Sequence, residues 1–113
     1  MDNNTMADII LNYVKKHSGV SFVEVENLFI KHGFDFRGEH ILGTPIPNTV
    51  LWINWNIDAI RVMTRVIQMG AEFNCTSPLV YYHDGIAPAL PIARTAQGYN
   101  ELHWLPVVIN YNS

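Results

Sequence analysis

Thr49-Val50-Leu51-Trp52-Ile53-Asn54-Trp55 runs straight into Asn56-Ile57-Asp58-Ala59-Ile60-Arg61-Val62-Met63-Thr64-Arg65-Val66-Ile67-Gln68-Met69-Gly70, a strand-length segment followed by a helix-length one. Residues 49–55 alternate as a β-strand does, with Leu51, Ile53 and Trp55 pointing one way and Val50 and Trp52 the other. Both faces are apolar. The strand is therefore expected to be covered on both sides and to lie at the centre of the core, with Trp52 and Trp55 buried. Asn56 is a suitable N-cap for a helix that ends at Gly70, and Asp58 stands in the first turn, where the helix dipole favours a carboxylate. On a helical wheel Ile57, Ala59, Ile60, Met63, Val66 and Ile67 cover about half the circumference, leaving Asp58, Arg61, Arg65 and Gln68 as the polar strip.

Upstream, two more helices are expected. Thr5 and Asp8 have capping-box spacing, and Met6, Ile9, Ile10, Tyr13, Val14 and His17 follow one helical face until Ser18-Gly19. Ser21 and Glu24 repeat the capping spacing, Val20 and Val25 are placed as a hydrophobic staple, and Phe22, Val25, Leu28 and Phe29 form the apolar stripe before Gly33. Residues 34–48 hold Gly38, Gly43, Pro45 and Pro47, too many turn formers for a helix, with room for a short strand at His40-Ile41-Leu42.

Downstream of Gly70 the periodicity becomes that of strands. Ala71 to Thr76, a Ser77-Pro78 turn, and Leu79 to His83 make a hairpin-sized unit stopped by Asp84-Gly85. Residues 85–101, with Pro88, Pro91 and Gly98, are expected as a long excursion that includes a short extended piece at Leu90 to Ala93. Leu102 to Tyr111 is β-prone, and Pro106, which removes a ladder donor, favours an edge position there.

The resulting order of helix, helix, strand, helix and hairpin resembles a winged helix, most closely from Asn56 to Asp84. The expected fold is a single α+β domain over residues 1–113, winged-helix-like, with three helices, a small antiparallel sheet and an inserted strand between the second and third helices. A separate resemblance lies in the wording of the sequence. Leu51-Trp52-Ile53-Asn54-Trp55-Asn56, Tyr81-Tyr82-His83-Asp84-Gly85, Leu90-Pro91-Ile92-Ala93 and His103-Trp104-Leu105-Pro106-Val107 are similar to segments of short uncharacterised proteins of bacteriophages and pathogenicity islands of staphylococci and their relatives. That resemblance implies an accessory role on a mobile genetic element and brings no catalytic residue with it.

Composition narrows the function classes. Of 113 residues 49% are apolar and only 15% charged, so uncharged polar and apolar side chains must cover much of the surface, leaving some of it available to a partner or a second copy. A net charge of −3 argues against non-specific nucleic-acid binding, which depends on lysine and arginine neutralising phosphates. The first residues lack the basic and apolar runs of a signal peptide, and no apolar run approaches a membrane span of about 20 residues. The expectation is a cytoplasmic protein without a membrane partner. One cysteine, Cys75, cannot form an internal disulfide and is read as packing.

No constellation announces catalysis, a cofactor or a small-molecule substrate. The histidines His17, His32, His40, His83 and His103 do not pair with each other or with Cys75 at zinc-motif spacing, and no phosphate-binding glycine loop is present. His83-Asp84 is the most site-like pair, yet strand neighbours point to opposite faces, and Asp84-Gly85 suits a turn. Two candidate surfaces remain. Arg61, Arg65 and Gln68 present what a groove-reading or partner-binding helix displays, against the plainer reading of a solvated face on which Asp58 pairs with Arg61. Lys15, Lys16, Lys31 and Arg37 would extend that basic surface if the first two helices docked on the same side. Trp104, beside Pro106 on an expected edge strand, is a candidate interface anchor. The favoured function is a non-enzymatic interaction module that binds another protein or a second copy of itself, and the alternative is a sequence-specific winged-helix DNA-binding regulator.

Overall fold

The computed structural model describes residues 1–94 and 98–112; residues 95–97 of the expected excursion lie outside the described residues. The described residues form a mixed α+β structure of four helices and two small sheets. Its elements are α1 (Asn3–Lys16), α2 (Phe22–Lys31), β1 (Arg37–Gly43), β2 (Thr49–Trp55), α3 (Ile57–Gln68), β3 (Ala71–Cys75), α4 (Leu79–Asp84), β4 (His103–Trp104) and β5 (Val107–Tyr111).

Capping chemistry sets the helix starts. Helix α2 begins with the expected box, since Ser21 Oγ accepts from the Glu24 N–H at 3.2 Å and Glu24 Oε2 accepts from the Ser21 N–H at 3.0 Å. Asn56 caps α3 by accepting from the Ala59 N–H at 2.8 Å. Helix α1 starts earlier than the Thr5–Asp8 spacing implied, because Asp2 takes the cap and accepts from the Thr5 N–H at 2.7 Å. A carboxylate three residues upstream of a free N–H outcompetes the hydroxyl that follows it.

One buried cluster joins the helices and both sheets. Met6, Ile10 and Val14 of α1, Phe22, Val25 and Phe29 of α2, and Ala59, Val62, Met63 and Val66 of α3 meet Trp52, Trp55, Tyr81, Trp104 and Ile109 in it. Strands β1, β2 and β4 form one sheet in the order β1-β2-β4, with β1 antiparallel and β4 parallel to the central β2. The central, two-sided role of residues 49–55 is as expected. The short strand at 40–42 is longer than expected and includes Arg37 to Gly43.

The hairpin does not form. Residues 79–84 are a helix, and β3 pairs instead with β5, antiparallel from Ala71 opposite Tyr111 to Cys75 opposite Val107. Ser77-Pro78 is a helix start rather than a hairpin turn: Pro78 has φ −60° and the Leu79 N–H donates to Ser77 Oγ at 3.2 Å. Gly85, at φ 78°, closes the helix in the left-handed conformation. The three-helix count and the two-stranded wing after α3 are corrected accordingly, to four helices and a β3–β5 ladder.

The edge position expected around Pro106 holds, since β4 and β5 are each at the edge of their sheet, but Pro106 itself lies between the two strands. It separates β4 from β5 at the point where the chain leaves one sheet for the other, and its carbonyl accepts from the Thr76 N–H at 3.0 Å. Cys75, read as packing, ends β3 with its side chain exposed. Among the described residues no helix is long and apolar enough to cross a membrane.

Candidate binding groove

The strand alternation read from residues 49–55 places Trp52 and Trp55 on opposite faces, and in the structure they share one. Both indoles donate to the same oxygen of Glu26 on α2, Trp52 Nε1 at 2.7 Å and Trp55 Nε1 at 2.9 Å. Phe22 touches both, stacked on Trp52 at 5.5 Å between ring centroids and edge-on to Trp55 at 5.7 Å. The backbone explains the change of phase. Asn54 lies between them at φ 64°, a left-handed conformation that breaks the period of two. Opposite it, Arg37 and His40 are both in register with Trp55, so β1 carries the extra residues of a bulge. Gly38 sits inside that bulge, where a Cβ would lie 2.7 Å from Asn56 Cα. Only glycine fits there.

The re-phased strand, α2 and the segment after α4 enclose a groove of about 630 Å³. Val23, Ile30, Phe36, Trp52 and Ile53 supply apolar walls, Ile86 to Ala89 close one side, and Glu26, Asn27, Arg37 and Asn54 are the polar groups. Ile30 and Ile86 stand 57% and 49% exposed, an arrangement in which large aliphatic side chains face water at the edge of a cleft. Next to this rim α4 exposes Leu79 at 68% and Tyr82 at 53%, having committed only Tyr81 to the core. Apolar walls with a few convergent polar groups are the usual make-up of a recognition cleft.

Tyr81 fixes the position of that short helix. Its hydroxyl donates to the Val107 carbonyl at 2.6 Å and accepts from the Phe22 N–H at 3.1 Å, tying α4 to β5 and to the start of α2. Burial pushes its phenol well above the ordinary tyrosine range, with the Phe22 hydrogen bond opposing.

The candidates read from the sequence lie elsewhere. Arg61, Arg65 and Gln68 are exposed on α3, as the polar strip required, and Arg61 approaches Asp58 at 3.9 Å across one turn of the surface. Asp58 also accepts from Asn3 Nδ2 at 3.0 Å, which ties its carboxylate to α1. None of the three lines the groove. Lys15 and Lys16 belong instead to a polar hollow with Asn74, Asn110 and Asn112, where Lys15 Nζ lies over the Tyr111 ring at 4.9 Å.

Trp104 is not a surface anchor: it is fully buried, edge-on to Tyr81 at 5.2 Å and to Trp52 at 6.3 Å, because β4 is paired with β2 and bridged by Ile92. Its indole N–H meets no acceptor among the described residues.

Two of the histidines pack on aromatic rings, His17 against Tyr13 at 4.0 Å and His103 stacked on Tyr99 at 3.7 Å. Among the described residues no three His, Cys, Asp or Glu side chains gather as metal ligands.

Glu26, Gly38 and Asn54 were not singled out by sequence reasoning. The available signal was Asn54, a residue type depleted from strands, in the middle of an otherwise aromatic and aliphatic one. Comparison of the chain with protein-family models, with curated proteins and with solved structures returns no match.

Proposed function

We propose that this chain is a non-enzymatic interaction module that receives a segment of another protein in the Glu26 groove, in an accessory role of the kind carried by phages and pathogenicity islands. The observation that carries the reading is the groove itself, built by a strained Asn54 and a bulge that admits only glycine. Strain of that kind is kept where the surrounding structure over-determines it, and it clusters at binding and active sites. The exposed Ile30 and Ile86 on the rim are a second support, since they flank the same cleft rather than standing singly on the surface.

The test is selection of random peptides displayed on phage against the immobilised full chain. Enriched peptides are expected to lose binding to Ile30→Asp and Ile86→Asp and to keep it with Arg65→Ala. A selection that enriches nothing, from a chain that stays monomeric by light scattering at every concentration, would overturn the reading.

The DNA-binding alternative retains one supporting observation, the exposure of Arg61, Arg65 and Gln68 on α3. It stands second because α3 is followed by a strand that pairs with β5, so among the described residues no β-hairpin wing follows it. Binding to genomic fragments at low salt that weakens with Arg61→Ala and Arg65→Ala would reverse that order.

A further inference from the structure

Resting on the groove reading, we infer that Glu26 is the specificity element of this site and that the groove takes a partner segment carrying a lysine or arginine between apolar side chains. The argument begins with what Glu26 is bonded to. One carboxylate oxygen accepts from two indole N–H groups, both neutral donors, and the side chain forms no ion pair with a lysine or arginine among the described residues. Arg37, the cation in the groove's lining, is turned to the Phe36 ring, with its guanidinium carbon 4.8 Å from the centroid.

The carboxylate is therefore held in place by hydrogen bonds on the protein side, with no ion-pair partner among the described residues, in a cleft walled by Val23, Trp52 and Ile86. A carboxylate fixed in apolar surroundings attracts a cation more strongly than one in open water, because the local dielectric is lower and the carboxylate is already ordered before it pairs. The aliphatic rim adds to this. Ile30 and Ile86 line the same groove and face water, and a lysine or arginine stem packs along such surfaces while its head reaches the charge. The apolar walls call for aliphatic or aromatic neighbours on either side of the cation. The net charge of −3 favours the same sign of partner at long range.

The decisive variant is Glu26→Gln. Its amide carbonyl can accept from both indoles, so the charge goes while the acceptor stays. Peptides selected on the wild-type chain are expected to contain a lysine or arginine flanked by apolar residues and to bind Glu26→Gln at least tenfold more weakly. Replacing that cation by norleucine or citrulline in the synthetic peptide should lower affinity for the wild type and leave affinity for Glu26→Gln unchanged. The indole N–H resonances of Trp52 and Trp55, recorded for both chains, establish that the variant keeps its fold.

Peptides without a cation that lose binding to Ile86→Asp but bind Glu26→Gln as well as wild type would overturn this inference and leave the interaction reading standing. Cationic peptides indifferent to Glu26→Gln would overturn it equally. Failure to select any peptide, from a chain that stays monomeric by light scattering at every concentration, would remove both.

Discussion

Replacing Glu26 with alanine is expected to destabilise the domain by about 2–6 kcal/mol, because the change orphans two indole donors at once. Trp52 and Trp55 are 3% and 0% exposed, so neither N–H can turn to bulk water without moving the strand. Each buried donor left without an acceptor costs roughly 1–3 kcal/mol, and the sum falls toward the lower end if the groove lets water reach Trp52. Glu26→Gln keeps a carbonyl acceptor and loses only the charge assistance of the two bonds, a cost of about 1 kcal/mol each. The assay is urea unfolding followed by tryptophan fluorescence, with equal m-values as the check that the same two states are compared. In a Trp55→Phe background the penalty for Glu26→Ala should shrink by about 1–2 kcal/mol, the coupling that a double-mutant cycle isolates. A Glu26→Ala chain within about 0.5 kcal/mol of wild type would refute the claim that this carboxylate holds the two tryptophans together.

The bulge gives a matched pair of outcomes. Gly38→Ala should lower stability by about 1–3 kcal/mol through overpacking against Asn56, and Asn54→Val should lose a similar amount through strain where Asn54→Gly does not; thermal melts of the three decide it. Tyr81→Phe should cost about 1–3 kcal/mol through the hydrogen bonds lost at Val107 and Phe22, again read from unfolding curves. In the wild type the buried Tyr81 phenol has its folded value raised above the ordinary 10.0, so its contribution to stability is full below that pH and is lost as pH rises toward the folded value; ultraviolet titration should show one tyrosine that ionises only on unfolding. Finally, Arg65→Ala should change stability by about 0.5 kcal/mol or less, whereas Trp52→Ala should cost about 3–5 kcal/mol, and a reversal of that order in thermal melts would show the inside and outside of the domain exchanged.

Local chemistry was sufficient for part of this protein. The capping box at Ser21 and Glu24, the Asn56 cap, the polar strip Arg61, Arg65 and Gln68, and the burial of the strand from Thr49 to Trp55 all rest on neighbours within a few residues, and sequence carries such signals directly. Leu79-Val80-Tyr81-Tyr82 failed the same kind of reading. Its β-branched and aromatic residues favour a strand, but β3 found its partner in β5, more than thirty positions away, and the freed segment closed into a helix capped by Gly85. Trp104 was misplaced for a related reason: β4 is an edge strand as expected, but Trp52 and Tyr81, brought to it from distant positions, bury its indole.

The groove was hidden most deeply of all. Trp52 and Trp55 share a face where Asn54 turns left-handed, and beside it the β1 bulge holds Gly38 close against Trp55 and Asn56. Glu26 then reads as one more polar residue on an amphipathic helix until the packing of α2 against β2 brings two indoles to it. Periodicity reports which residues are buried; which of them face one another is decided by backbone phase and pairing register, and those are set by contacts distant in sequence.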